Sequence, residues 1–137
     1  MIEYPASYEY AKKLLEGRAR KIANNTYLVE RLHDKIAVRY HQTDVVTFSD
    51  RATYLDTGGW KTTTTRDRVR NCGIDLYVQD YEWFIKTRKG VFAWEEDRLY
   101  LEEDGRVFGG RGELKPLDAS YRTSNRKCKL WILQEAK

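Results

Sequence analysis

The segment from Asp56 to Gly73, DTGGWKTTTTRDRVRNCG, holds the residues of this chain that are best suited to bind an anion. Glycine amides, threonine hydroxyls and a helix amino terminus together coordinate phosphate or carboxylate groups. A P-loop is excluded, because Gly59-Trp60-Lys61-Thr62 lacks the Gly-x-x-x-x-Gly-Lys-Ser/Thr spacing. A looser anion site stays open, and its candidate residues are Gly58, Gly59, Thr62 and Thr64.

A purely structural interpretation of the same segment is the alternative. In it, Gly58 and Gly59 form a turn, Trp60 fills the core, and the threonines run as a strand.

A short helix is then expected over residues 65–71. Thr64 or Thr65 is its predicted N-cap, and Asp67 lies in its first turn, where the helix dipole favours an acid. Gly73 follows as the left-handed residue past the helix end.

The basic residues of this segment form the second candidate site. Arg66 and Arg70 lie four apart and share a helix face, whereas Arg68 lies on another face. Such a set suits the phosphates of a nucleic acid or the carboxylates of an acidic protein, and an ordinary solvated face also explains it. The candidate contact residues are Lys61, Arg66, Arg68, Arg70 and Trp60.

His41 and Asp44 raise a third possibility, a general base with an orienting carboxylate. A small hydrolase or nuclease centred on His41 is therefore an alternative function. No nucleophile motif accompanies the pair, and a hydrogen bond from His41 to the turn through Thr43 or Asp44 explains it as well. We therefore name no catalytic residue.

Metal and cofactor binding are not expected. The soft candidate ligands do not have the spacing of a zinc site. These ligands are His33, His41, Cys72 and Cys128.

An acidic block over residues 95–104 flanks a predicted hairpin. Its carboxylates could mimic nucleic acid, but such charges more often keep a hairpin edge from pairing with other sheets.

Composition describes a globular chain with a modest basic bias. The 137 residues carry a net charge of +4 and are 41% hydrophobic, which predicts one domain that spans residues 1–137. The amino terminus lacks the apolar region of a signal peptide, and no run is long enough to span a membrane. We therefore expect a cytoplasmic protein with free thiols and no membrane partner.

The elements that position these residues follow from hydrophobic periodicity. An amphipathic helix is predicted over residues 6–20, with Ser7 as its cap, inside an N-terminal helical region of residues 1–22. Residues 23–56 alternate with period two and predict a β-meander with turns at His33-Asp34 and at residues 42–44. Residues 57–73 hold the turn and the short helix.

Residues 74–137 are predicted to be rich in β-strands. They include a hairpin with Asp104-Gly105 at its tip and a last strand over residues 128–133. In "YEWFIK", Tyr81, Trp83 and Ile85 are expected on one face. The fold class is therefore α+β: an N-terminal helix packed on a mainly antiparallel sheet or open barrel, with a short second helix after the Gly-Gly-Trp turn.

Three segments within residues 22–71, IANNTYLVER, IAVRYHQTDVVTF and LDTGGWKTTTTRDRVRN, resemble a group of small bacteriophage and prophage proteins of unknown activity. The resemblance implies a phage accessory protein. Small proteins of that class often bind and inhibit host machinery, including defence nucleases, as anti-CRISPR proteins do. The matching positions are Asn24, Asn25, Thr26, Tyr27, Arg39, His41, Thr43, Asp44, Gly58, Gly59, Trp60, Thr62, Thr64, Thr65 and Arg68.

We therefore expect a non-enzymatic binding protein. Its expected partner is a host protein or nucleoprotein complex, with direct binding of nucleic acid as the alternative. Residues 74–137 do not match the group, and the oligomeric state stays open.

Overall fold

Two helices and eleven strands form in residues 4–16 and 18–118, the part of the chain that the computed structural model describes. The helices are α1 (Tyr8–Leu15) and α2 (Thr63–Asn71). The strands are β1 (Arg20–Ala23), β2 (Thr26–Arg31), β3 (Lys35–Tyr40), β4 (Thr43–Phe48), β5 (Ala52–Asp56), β6 (Leu76–Gln79), β7 (Glu82–Thr87), β8 (Gly90–Ala93), β9 (Arg98–Glu102), β10 (Val107–Gly109) and β11 (Gly112–Glu113).

The strands form two antiparallel sheets. The larger sheet has the order β1-β2-β3-β4-β5-β9-β10-β11, and the smaller has the order β6-β7-β8. The α+β class with mainly antiparallel sheet is therefore confirmed. The sheets are not closed into a barrel: among the described strands, no pairing joins β1 to β11, and each remains an end strand of an open sheet.

Two neighbouring strands of the large sheet, β5 and β9, are separated by a long connection in the sequence. β9 pairs with β5 along its whole length, from Ala52 opposite Glu102 to Asp56 opposite Arg98. Helix α2 and the small sheet lie between these two strands in sequence. The pairing of β5 with β9 therefore closes a segment that contains most of the candidate site residues.

One core cluster takes members from both sheets and both helices. Ala11 and Leu15 come from α1, and Val69 comes from α2. Trp83 and Trp94 pack edge to face with ring centroids 5.4 Å apart, and both are buried. Large apolar side chains of this kind supply most of the driving force for folding.

Helix α1 begins as predicted and ends early. Ser7 accepts a hydrogen bond from the Tyr10 amide at 3.2 Å, as an N-cap does. Glu16 then adopts a left-handed conformation with φ 47°, which ends the helix at Leu15 and not at residue 20. Arg20 instead begins β1, an edge strand that the helical prediction covered.

The predicted meander is confirmed, with one turn displaced. His33 and Asp34 both have positive φ, as the central residues of a tight hairpin require. The turn predicted at residues 42–44 begins at His41, whose φ is 55°, and Thr43 already belongs to β4. The Asp104-Gly105 tip is confirmed, since β9 and β10 pair antiparallel around it.

Residues 74–113 form β6 to β11 with small differences from the prediction. Trp83 and Ile85 belong to β7 and are buried, but Tyr81 does not share their strand face: it lies in the turn between β6 and β7 and projects into solvent. The predicted strand over residues 128–133, which includes Cys128, lies outside the described residues. No described helix is long and apolar enough to cross a membrane.

Cys72 gives a test of the core. Its thiol is 1% exposed, and burial raises its pKa to about 12 from an ordinary value of 9.0. The neutral thiol therefore contributes stability that is fully present below pH 9.0 and is lost as the pH rises toward 12.

We expect Cys72 in a Cys128→Ser variant to react with a thiol reagent at pH 8 roughly 1000-fold or more slowly than in the urea-unfolded chain, because only the open form exposes it. Absorbance of the released reagent measures the rate. Comparable rates in the folded and unfolded chain would contradict the burial of Cys72.

Candidate functional site at the start of helix α2

A tight turn joins β5 to α2, and its glycines are needed for their backbone conformation. Gly58 and Gly59 have φ of +65° and +88°, a region that favours glycine. The Gly58 amide donates to Asp56 Oδ1 at 2.8 Å, and the Gly59 amide donates to Thr57 Oγ1 at 3.2 Å. Both amides of the candidate anion site therefore already have acceptors within the chain.

Helix α2 starts two residues earlier than predicted. Thr62 is the N-cap, and its hydroxyl accepts from the Thr65 amide at 3.2 Å and donates to Thr65 Oγ1 at 3.1 Å. The predicted threonine strand and the predicted cap at Thr64 or Thr65 are wrong, because this side-chain cap outweighs the strand preference of threonine. Asp67 accordingly lies beyond the first turn.

Trp60 is not in the core. Its side chain is 71% exposed, and its backbone amide donates to Thr57 O at 3.1 Å, which completes the glycine turn. Trp83 and Trp94, by contrast, are buried in the core cluster.

Lys61 and Arg66 lie on one side of Thr62. Lys61 Nζ donates to Trp94 O and lies 5.8 Å from the centroid of the Trp83 ring. Desolvation of this ammonium group lowers the pKa of Lys61, although the carboxylates of Asp97, Glu95 and Glu82 act in the opposite direction. Arg66 Nε is buried and has no hydrogen-bond partner among residues 4–16 and 18–118.

These two cations line an open cleft of about 610 Å³, called here the basic cleft. It lies between the start of α2 and the β6–β7 hairpin. Its lining residues are Lys61, Thr62, Thr63, Arg66, Val78, Asp80, Tyr81 and Trp83.

Tyr81, which was expected on one strand face with Trp83 and Ile85, instead lines this cleft. It is 98% exposed at the hairpin tip and has φ 68°, which is unusual for a bulky side chain. Asp80 beside it also has positive φ. The sequence signal was the pair Asp80-Tyr81 between two alternating runs, the position of a two-residue turn.

The other two predicted basic residues, Arg68 and Arg70, donate hydrogen bonds to oxygen atoms of the chain itself. Arg68 Nε donates to Thr26 Oγ1 at 2.9 Å, and its terminal nitrogen donates to Asn24 O at 3.3 Å. Arg70 Nε donates to Leu76 O at 2.9 Å. Lys61, Arg66 and Trp60 therefore lie together near the start of α2. Arg68 and Arg70 instead connect α2 to the segments that contain Asn24, Thr26 and Leu76.

A second cleft, of about 370 Å³, lies on the other side of Thr62 and is called here the threonine cleft. It brings together the β3–β4 turn, the glycine turn and the first turn of α2. Its lining residues are Tyr40, His41, Gln42, Thr43, Val45, Thr57, Trp60, Thr62 and Thr65.

Within residues 4–16 and 18–118, the side chains of His41 and Asp44 make no hydrogen bond to each other. Both oxygens of Asp44 instead accept from Arg31 at 2.8 Å. The His41 amide donates to Asn25 O at 2.9 Å, and its ring lies 4.4 Å from that of Tyr40. Among residues 4–16 and 18–118, no three His, Cys, Asp or Glu side chains are grouped to hold a metal ion.

The acidic block is largely engaged in local structure. Glu96 Oε2 accepts from the Gly110 amide at 2.6 Å, and Asp97 Oδ1 accepts from the Thr57 hydroxyl at 2.7 Å. Asp104 forms an ion pair with Arg106 at 2.8 Å.

A protein-family model described as "Kyanoviridae Gp96 protein" matches residues 6–106 of the chain. The match confirms the predicted resemblance to a phage family of unknown function and extends it past residue 71, so part of the second half belongs to the family pattern as well. No curated protein and no solved structure matches the chain.

The two turn glycines give a matched pair of substitutions. Gly59→Ala places its Cβ in open space and should cost about 1–2 kcal/mol through the left-handed backbone alone. Gly58→Ala should cost more, because its Cβ would collide with Thr43 Oγ1. Urea unfolding measures both changes, and Thr43→Ala in the Gly58→Ala background should recover the difference. Equal costs for the two single variants would contradict the close contact.

Arg68→Ala should lower the free energy of unfolding by roughly 1.5–3 kcal/mol, since it removes two charge-assisted hydrogen bonds, one of them to the buried Thr26. Asp67→Ala, at an exposed position of the same helix, is the control and should change stability by no more than about 0.5 kcal/mol. Urea denaturation measures both variants. A cost for Arg68→Ala as small as that of the control would refute its bridging role.

Proposed function

We propose that this chain, which belongs to the Kyanoviridae Gp96 family of phage proteins, is a non-catalytic binding protein that inhibits a host protein or nucleoprotein complex such as a defence nuclease. Its contact surface is formed by Lys61, Arg66 and Tyr81 of the basic cleft and by Trp60, which lines the neighbouring threonine cleft. An anti-defence activity of this kind is stoichiometric and needs no cofactor.

The observation that carries the proposal is the exposure of Tyr81 in a strained conformation. A bulky residue with positive φ lowers the stability of the turn, so its side chain serves something other than the fold. Trp60 is also largely exposed at the other side of the α2 start. Exposed Trp and Tyr side chains beside an Arg have the composition of interface hot spots.

The charge of the surface indicates the chemistry of the partner. Lys61 and Arg66 both line the basic cleft. A carboxylate from an acidic partner surface would form a charge-assisted hydrogen bond with either cation. We therefore expect an acidic patch on the partner.

Direct binding of nucleic acid is less well supported. Arg68 and Arg70 donate to oxygen atoms of the chain itself, which leaves fewer cations for phosphates. A protein interface predicts a modest salt dependence of affinity, whereas contacts to many phosphates predict a steep one.

The test is capture of a partner by the full chain from nuclease-treated host lysate, followed by affinity and inhibition measurements with the purified partner. Trp60→Ala and Tyr81→Ala should each weaken binding roughly 30-fold, the equivalent of about 2 kcal/mol for a hot-spot residue. Leu32→Ala is the matched control, because Leu32 is 81% exposed at a different hairpin.

Loss of all capture on nuclease treatment, or a partner whose affinity falls steeply with salt, would favour the nucleic-acid alternative. Equal capture by the Trp60→Ala/Tyr81→Ala variant would exclude the proposed surface. A captured enzyme that stays fully active with excess chain would exclude inhibition.

A further inference from the structure

The threonine cleft differs from the basic cleft in its charge. None of its lining residues is Asp, Glu, Lys or Arg, whereas Lys61 and Arg66 line the basic cleft. Its polar groups are hydroxyls, an imidazole and an amide. A phosphate or carboxylate held inside it would have no side chain of opposite fixed charge.

We propose that the threonine cleft binds an uncharged, planar heteroaromatic ring with the hydrogen-bonding edge of a nucleobase. This site goes beyond the proposed protein-binding surface, with which it shares Trp60, and its other side chains are different. The size of the cleft, about 370 Å³, lies within the range of small-molecule sites.

The walls of the cleft suit a flat ring. Trp60 presents an exposed indole, and the Tyr40 and His41 rings lie 4.4 Å apart at a tilt of 55°. Aromatic side chains of this kind bind bases by stacking, because every base has a π-face.

The polar groups of the cleft divide into engaged and available ones. The Thr57 hydroxyl donates to Asp97 Oδ1, and the Thr62 hydroxyl donates to Thr65 Oγ1. Within the described part of the chain, by contrast, the side chains of His41, Gln42 and Thr43 make no hydrogen bond. The Gln42 amide carries both a donor and an acceptor, the pair that reads an adenine edge, and the Thr43 hydroxyl supplies a further donor or acceptor.

The cleft is held by contacts that need no ligand. Thr43 packs directly against Gly58, so the β3–β4 turn and the glycine turn are fixed to each other. The His41 amide donates to Asn25 O, and Thr62 caps α2. A preformed cleft of this kind loses little conformational freedom on binding.

The base can come from a free nucleoside or from a nucleotide. In the second case the phosphate lies outside the cleft, across Thr62, where Lys61 and Arg66 line the neighbouring cleft. The two sources share the ring chemistry and differ in their dependence on Arg66.

The test is isothermal titration of the full chain with adenosine, guanosine, cytidine and uridine, and with their four 5′-monophosphates. At least one nucleoside should bind with one-to-one stoichiometry. Trp60→Ala and Gln42→Ala should weaken that binding roughly ten-fold through lost stacking and lost base contact. Thr43→Val keeps the side-chain shape, removes the hydroxyl and should weaken it roughly five-fold.

Arg66→Gln and Tyr81→Ala are the controls and should leave nucleoside affinity unchanged. A further loss with Arg66→Gln that appears only for the monophosphate identifies the nucleotide as the source. Absence of binding by every nucleoside, or binding that Gln42→Ala and Thr43→Val leave unchanged, would overturn the proposal. So would binding of monophosphates alone that Arg66→Gln removes. Failure of the protein-binding surface is separate, since it is tested by Tyr81→Ala against a protein partner.

Discussion

The hydrogen bond from the Thr65 amide to the Thr62 hydroxyl fixes where helix α2 begins, and both clefts depend on that start. Lys61, directly before Thr62, extends toward Trp94 O. Trp60 projects into solvent. One turn later, Arg66 lines the same cleft as Lys61. A cap shifted by two residues, as the run of threonines suggested, would rotate these side chains away from one another.

Local pattern predicted much of the fold. Alternating apolar and polar residues marked β2 to β5, although the middle of β3 is buried on both faces, at Ile36, Ala37 and Val38. Ser7 and the Asp104-Gly105 pair were recognisable because capping and tight turns depend on the residues themselves. The pairing of β5 with β9 was not predictable in this way, since it joins strands separated by an entire small sheet.

The candidate site was only partly predictable, and the errors have one cause. Trp60 was assigned to the core because tryptophan is highly buried on average, but it lies at the end of the glycine turn, where its side chain projects into solvent. Arg68 and Arg70 looked like surface charges because their acceptors, at Thr26 and Leu76, lie in other strands. Tertiary contacts decide which basic residues remain at the clefts, and helix periodicity alone does not reveal those contacts.

The late return of β9 to β5 also determines when the clefts can exist. During synthesis the outer edge of β5 has no partner until β9 has been made, and α2 and the small sheet emerge in that interval. Closing so long a loop costs entropy that only the completed pairing recovers. A chain that stops before β9 would therefore leave this edge of β5 unpaired directly beside the glycine turn, and an unpaired strand edge is a template for association with other chains. Truncated products of translation should therefore aggregate more readily than the finished protein.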